Sequence, residues 1–348
     1  MEEMQRQLGR RLLHMITDVT LQEKESWHLG MIPKQAPAFI AGRVIADLAD
    51  ADERIAVLTA DLGFSNRTIE FAKRHPDRFF DVGIAEHNMV SVAAGMAACG
   101  AVPYAGTFAS FLALMCCEQI RTDLAYPNLQ VRLLSHHAGV SLGYYGTSHH
   151  ATEDIGIMRS MANMKIVCPS DAYSFEQALR QTVNLEGPIY FRLGRGRDPD
   201  VYKPGDKWEF GKISILRNGK DGLVLSNGIM VHASCEAADK LAKDGIELTV
   251  VDLHTLQPLD TQALIPLIRK HRKVFVAEEH NMMGGVATII ADMIVDARIN
   301  DVHLVRIGLP SDEYSIIGPP YYLYQHYGLD GAGLAERIRS ELKKPKSV

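Results

Sequence analysis

Cysteine is scarce and unpatterned in this chain. Cys99, Cys116, Cys117, Cys168 and Cys235 make an odd total of 5 and form no C-x-x-C pair. They read as buried thiols of a reducing cytoplasm, not as a disulfide framework. An excess of positive charge is missing too: 37 lysines and arginines stand against 42 acids, a net charge of -5. That balance leaves no footprint for nucleic acid, which is excluded as an expected partner. Residues 1–25 carry charges throughout and hold no apolar core, so no signal peptide is expected. There is no G-x-G-x-x-G behind the first strand, and no G-x-x-x-x-G-K-[ST] or G-x-S-x-G anywhere. These absences argue against a dinucleotide fingerprint, a P-loop and a hydrolase nucleophile elbow. Residues 89–117 lack any charge, and the stretch exceeds the ~20 residues that cross a bilayer. Gly95, Gly100, Pro103 and Gly106 interrupt it. Two buried helices joined by a short strand are expected there, and no membrane partner.

What is present is a globular composition. The 348 residues are 47% hydrophobic and 23% charged, enough for about two domains at roughly 150 residues each. Met4, Leu8, Leu12 and Ile16 recur at helical spacing, so residues 1–34 read as a helical arm. It either packs on its own domain or grips another subunit. Strands are expected over 55–59, 102–105, 131–135, 165–168 and 189–193, with helices over 43–49, 88–98, 110–124 and 172–183. A turn-rich linker over 194–207 leads to further strands over 223–226, 248–252, 274–277 and 304–307. The rhythm predicts an α/β fold of two doubly wound, mostly parallel domains, 35–200 and 201–348. Ligands in such sheets bind beyond the carboxyl ends of the strands.

Four clusters could carry chemistry. Glu86, in Asp81-Val82-Gly83-Ile84-Ala85-Glu86-His87-Asn88, opens an uncharged, alanine-rich helix. It is either a charge on the helix dipole or a poorly solvated carboxyl with a raised pKa, suited to holding a proton. His136-His137 and His149-His150 bracket a glycine-rich loop; metal ligation, hydrogen bonding to a carbonyl or anionic substrate, and a plain loop role all remain open. Phe108 and Phe111 are core residues or a stacking surface for a planar heterocycle. Arg192 closes a strand and could clamp a phosphate, whereas Arg195 and Arg197 read as solvated turn residues.

Taken in order, DVGIAEHNMVSVAAGMA, GTFASF, SHHAGVSLGYYGTSHHATED, CPSDA and YFRLGRG resemble the thiamine-diphosphate enzymes. The resemblance is to the C-terminal half of transketolase, its pyrimidine-binding plus C-terminal domain, over about 36–340. It implies a catalytic Glu86 bonded to N1′ of the cofactor's aminopyrimidine, with Phe111 stacked on that ring, Phe108 nearby and Asp61 close to the cofactor at a dimer interface. It implies that His137 and His149 meet the sugar's hydroxyl and carbonyl oxygens, and that Arg192 and Thr59 bind its phosphate. Tyr144-Tyr145 stands where transketolases commonly carry Glu-Asp, so Tyr145 bears on which sugar is accepted. Ala38 replaces a usual second phosphate-binding arginine. The family's GDG motif is absent, so no metal ligand is expected on this chain. Mg²⁺ and the diphosphate site would come from an N-terminal transketolase subunit carrying GDG, in an α2β2 heterotetramer with 89–117 as a buried interface. The implied activity is transfer of a two-carbon ketol unit between sugar phosphates, with this chain inactive alone.

Competing readings are a deoxyxylulose-phosphate-synthase-like enzyme, which usually has both halves on one chain, and a β-type subunit of a 2-oxo-acid dehydrogenase, which usually lacks the paired histidines. Outside the family stand a His-based metal-dependent hydrolase and a non-catalytic assembly subunit. The C-terminal domain, with Glu278-Glu279-His280 and Gly284-Gly285, is expected to serve assembly.

Overall fold

Strands buried on both faces read as unbroken apolar runs, and such runs form the centres of two sheets. The computed structural model describes residues 37–195 and 199–344. The arm expected over 1–34 and Arg197 lie outside them. In chain order the strands are β1 (Ile55–Thr59), β2 (Phe79–Asp81), β3 (Val102–Phe108), β4 (Arg132–His136), β5 (Lys165–Val167), β6 (Ile189–Arg192), β7 (Ser214–Arg217), β8 (Gly222–Ser226), β9 (Leu248–Asp252), β10 (Thr255–Gln257), β11 (Lys273–Asn281) and β12 (His303–Leu309). Every residue of β1, β4, β8 and β9 is buried.

The first sheet runs β10-β5-β6-β4-β3-β1-β2 and the second β12-β11-β8-β9-β7. All pairings are parallel except β10 on β5 and β7 on β9. Two doubly wound, mostly parallel sheets are therefore present, with one departure from a clean division. Strand β10 follows the linker, yet it pairs with the edge of the first sheet, Thr255 against Val167. The Cys168 amide adds a hydrogen bond to the His254 carbonyl at 2.8 Å. One apolar cluster runs through both sheets, from Leu58, Ala105 and Leu133 to Leu225, Val251, Leu256 and Val274.

Helices α1 (Pro37–Ala49), α2 (Ile69–Arg74), α3 (Glu86–Ala98), α4 (Asp154–Arg159) and α5 (Ala172–Thr182) belong to the first half. In the second half come α6 (Ile229–Ala242), α7 (Thr261–His271), α8 (Val286–Asp296), α9 (Pro320–His326) and α10 (Gly331–Lys343). A capping box starts α5: the Asp171 carboxylate accepts from the Ser174 amide at 2.8 Å.

The uncharged stretch is a helix, a strand and a second helical segment, as expected, but neither helical part is what its composition suggests. Helix α3 buries only one face (Met89, Val90, Ala93, Ala94) and leaves Ser91, Val92 and Gly95 open. The second part is not one regular helix. Wide π turns at Phe111–Met115 and Ile120–Ala125 flank a short α turn at Cys117–Gln119. No described helix is long and apolar enough to cross a membrane.

Candidate active site

From β1 the chain moves out to β2, then returns to β3 on the other side of β1. Such a reversal leaves a crevice beyond the carboxyl ends of the strands. Here the segments following β1, β3 and β4 carry the chemistry-bearing residues. Two of them sit in the left-handed region, Asp61 (φ 58°) after β1 and His137 (φ 63°) after β4. A non-glycine residue held there costs about 1–3 kcal/mol and survives only where its surroundings impose it. At Asp61 the amide donates to the Asp81 carboxylate at 2.9 Å, and the same oxygen accepts from the Gly83 amide at 3.0 Å. Asp81 thus joins the loop after β1 to the one leading into α3.

Five rings converge. Phe108, the last residue of β3, lies 5.2 Å from Phe111, 4.5 Å from His137 and 5.5 Å from His149, centroid to centroid. Phe111 is 5.2 Å and Tyr145 4.9 Å from His149. His137 and His149 are brought together because their loop is pinched at its base. Gly139 and Ala151 exchange two backbone hydrogen bonds of 3.0 and 2.9 Å. Burial, reinforced by the charges of His136, Arg195 and His149, holds the His137 imidazole down to about 2. Burial also lowers His149. Both rings are therefore neutral at pH 7, able to donate from one nitrogen and accept at the other. Ser148 Oγ lies 2.8 Å from His149 Nδ1.

Glu86 begins α3 and is 5% exposed. Among the described residues its carboxylate makes no hydrogen bond. It sits close enough to Cys116 for its charge to join burial in pushing that thiol up to about 12. Cys116 is bonded through its amide to the Phe111 carbonyl at 3.0 Å, so Glu86 faces the segment that carries Phe111. A buried acid without a partner, facing a segment that carries an aromatic ring, fits a planar, nitrogen-bearing ring.

Two residues expected at the phosphate are largely enclosed where they stand. Arg192 is buried within β6: its Nε donates to Asp154 at 2.8 Å and its Nη2 to the carbonyls of Ala151 and Glu279 at 3.2 and 2.8 Å. Every residue of β6 is buried, so its guanidinium has to be paired inside the protein. Thr59 is fully buried; its Oγ1 donates to the Gly106 carbonyl at 3.4 Å and accepts from Leu62 and Asn66, each at 3.2 Å. The open guanidinium is that of Arg195, three residues on, exposed and near enough to His137 to act on its ring. Its place just past the end of a buried strand is the signal that could have singled it out. Tyr144 and Tyr145 are 61% and 63% exposed, so neither phenol fills the crevice as packing. His136 is fully buried with both ring nitrogens unpartnered, and His150 faces the Gly143 carbonyl at 3.3 Å. Among the described residues no group of three or more His, Cys, Asp or Glu could hold a metal ion.

Known proteins resemble this chain across both of its domains. Residues 36–199 match the transketolase pyrimidine-binding domain and 211–334 the transketolase C-terminal domain. The chain is 34% identical over 281 residues to one subunit of the apulose-4-phosphate transketolase of Actinobacillus succinogenes, covering 80% of this chain and 89% of that one. It is 33% identical over 286 residues to a 6-deoxy-6-sulfo-D-fructose transketolase subunit of a Clostridium species, covering 82% and 88%. A solved structure described as a split gene transketolase, inactive beta4 tetramer, superposes with a TM-score of 0.79 at 35% identity, over 89% of this chain and 98% of that one. With both domains matched and relatives above 30% identity covered over most of their length, the chain belongs to the transketolase family.

Proposed function

We propose that this chain is the pyrimidine-binding subunit of a two-chain transketolase that transfers a two-carbon ketol unit between sugar phosphates. One observation carries the reading: Glu86, buried and without a hydrogen-bond partner, faces the segment of Phe111, whose ring lies against Phe108 and the neutral His149, with the neutral His137 against Phe108. When bound, thiamine diphosphate supplies the electron sink for breaking a carbon–carbon bond next to a carbonyl. Phe108 and Phe111 provide the apolar face for its pyrimidine. Glu86 holds the proton at N1′, where a poorly solvated carboxyl is most effective. His137 and His149 bind the sugar's carbonyl and hydroxyl oxygens and, being neutral, can also pass a proton between them. Arg195 takes the phosphate in place of Arg192. Relatives named for apulose 4-phosphate and for a sulfo sugar favour a substrate outside the common pentoses, as do the two exposed tyrosines.

Mg²⁺ and the diphosphate are held by a partner subunit carrying the GDG motif, in an α2β2 assembly. The open side of α3, together with Ile84 (82% exposed), Leu114 and Met115, is an uncharged apolar surface suited to that contact. The five free cysteines suit a cytoplasmic setting.

The test is calorimetric titration of thiamine diphosphate with Mg²⁺ into this chain, into its partner, and into the mixture, with Glu86→Gln alongside. Tight binding in the mixture alone, and a loss of about 100-fold or more in turnover with assembly intact for Glu86→Gln, are expected. Full turnover in that variant would sink the assignment.

A further inference from the structure

The C-terminal domain reaches the histidine loop through one carboxylate. Glu279 lies in β11 and is 3% exposed. Its Oε1 accepts from the Val140 amide at 2.8 Å and from the Tyr324 hydroxyl of α9 at 2.7 Å. Val140 comes three residues after His137. Beside it, Gly139 adopts φ 59°, and a Cβ at that position would collide with the Glu279 carboxyl. The base of the loop thus rests on this side chain, at the point where Gly139 and Ala151 pinch it shut. Two backbone contacts from the same domain follow the loop onward: the Gly318 amide donates to the Gly143 carbonyl at 3.1 Å, and the Asn281 amide to the Thr152 carbonyl at 2.9 Å.

We infer that Glu279 is a positioning residue for the sugar-binding histidines, setting from the second domain where His137 and His149 stand against Phe108. The inference rests on the reading of those histidines as substrate contacts. The groups that act on the carboxylate are Arg192 from β6, Asp154 from α4, Tyr324 from α9 and the Val140 amide. Burial pushes Glu279 up to about 7, against the pull of Arg192 and the two hydrogen-bond donors, with the Asp154 charge adding to the rise. The carboxylate is ionised above that pH and takes a proton below it. A neutral carboxyl is the weaker acceptor for the Val140 amide, so the loop is held most firmly above neutrality.

The test uses the assembled two-chain enzyme for kinetics and this chain for amide exchange at Val140, with Glu279→Ala, Glu279→Gln and His149→Ala. In the wild type, KM for the sugar phosphate should rise about tenfold from pH 8 to pH 6. Glu279→Gln, which keeps an acceptor but cannot ionise, should hold KM near the wild-type pH 6 value at both pH values and so flatten that profile. Glu279→Ala should raise KM about tenfold or more at both pH values and expose the Val140 amide, leaving thiamine diphosphate affinity within about twofold. An unchanged KM in Glu279→Ala, or a Glu279→Gln profile that still follows the wild type, overturns the inference. Should Glu279→Ala not fold, the Glu279→Gln profile alone decides. His149→Ala separates the two readings. If it leaves KM unchanged while Val140 exchange still follows Glu279, the histidine assignment falls and the holding of the loop stands.

Discussion

Two arginines three residues apart stand in opposite settings, one enclosed and one exposed. Arg192 is enclosed with Asp154 and two carbonyls, so Arg192→Met leaves a buried carboxylate without its counter-charge. Loss of one partner of such a pair costs about 3–5 kcal/mol, and urea unfolding of the purified chain should show it. Arg195→Ala should leave the urea midpoint in place and raise KM for a phosphorylated substrate about tenfold or more, the worth of a charge-assisted hydrogen bond. Buried imidazoles add a pH signature. His136, pushed down to about 3 by burial, stays neutral in the fold while the unfolded chain takes a proton near pH 6.5. Its contribution is therefore complete above pH 6.5 and is lost as the pH falls towards 3, at about 1.4 kcal/mol per pH unit. His136→Leu should flatten the acid limb of stability by that slope, read from urea midpoints between pH 4 and 6.5. Glu279 works in the opposite sense on the fold as a whole: burial favours its neutral form, and that share of stability is whole below its unfolded pKa and is lost as the pH climbs through about 7, even as the ionised carboxylate binds the Val140 amide more tightly.

At the scale of elements, legibility followed burial. β1, β8 and β9 could be read from the chain because strands covered on both faces must be apolar at every position. β2, β7 and β10 could not. They are edge strands of three or four residues, and Phe79-Phe80-Asp81 or Ser214-Ile215-Leu216-Arg217 carries too little pattern to separate from a loop. The ring cluster of Phe108, Phe111, His137, Tyr145 and His149 was legible as a set of motifs, since each member sits at a strand end or in one glycine-rich loop. The proposed phosphate arginine, Arg195, was marked only by its place past the end of the buried strand that holds Arg192. Nor could composition reveal that α3 leaves a face open, as alanine and serine suit a core and an interface equally well. That open face makes a prediction. Val92→Lys should shift the chain's own unfolding by no more than about 0.5 kcal/mol, as exposed sites usually do. It should also abolish association with the partner subunit in sedimentation velocity, because a lysine would be buried there without a counter-charge.

For the molecule as a whole, the shared core and the crossing strand β10 bind the two sheets together. Calorimetry should give one unfolding transition. Leu256→Ala, at the 3%-exposed centre of β10, should lower that transition by about 2–5 kcal/mol without splitting it. The crossing strand also limits recombination. The turn-rich linker looks like a natural joint at which to exchange C-terminal domains between relatives. A hybrid joined there would dock one parent's Thr255-Leu256-Gln257 against the other parent's Lys165-Ile166-Val167. Its success would depend on whether those two short segments are matched, more than on the linker. Chimeras that carry both segments from one parent should fold where simple linker fusions fail.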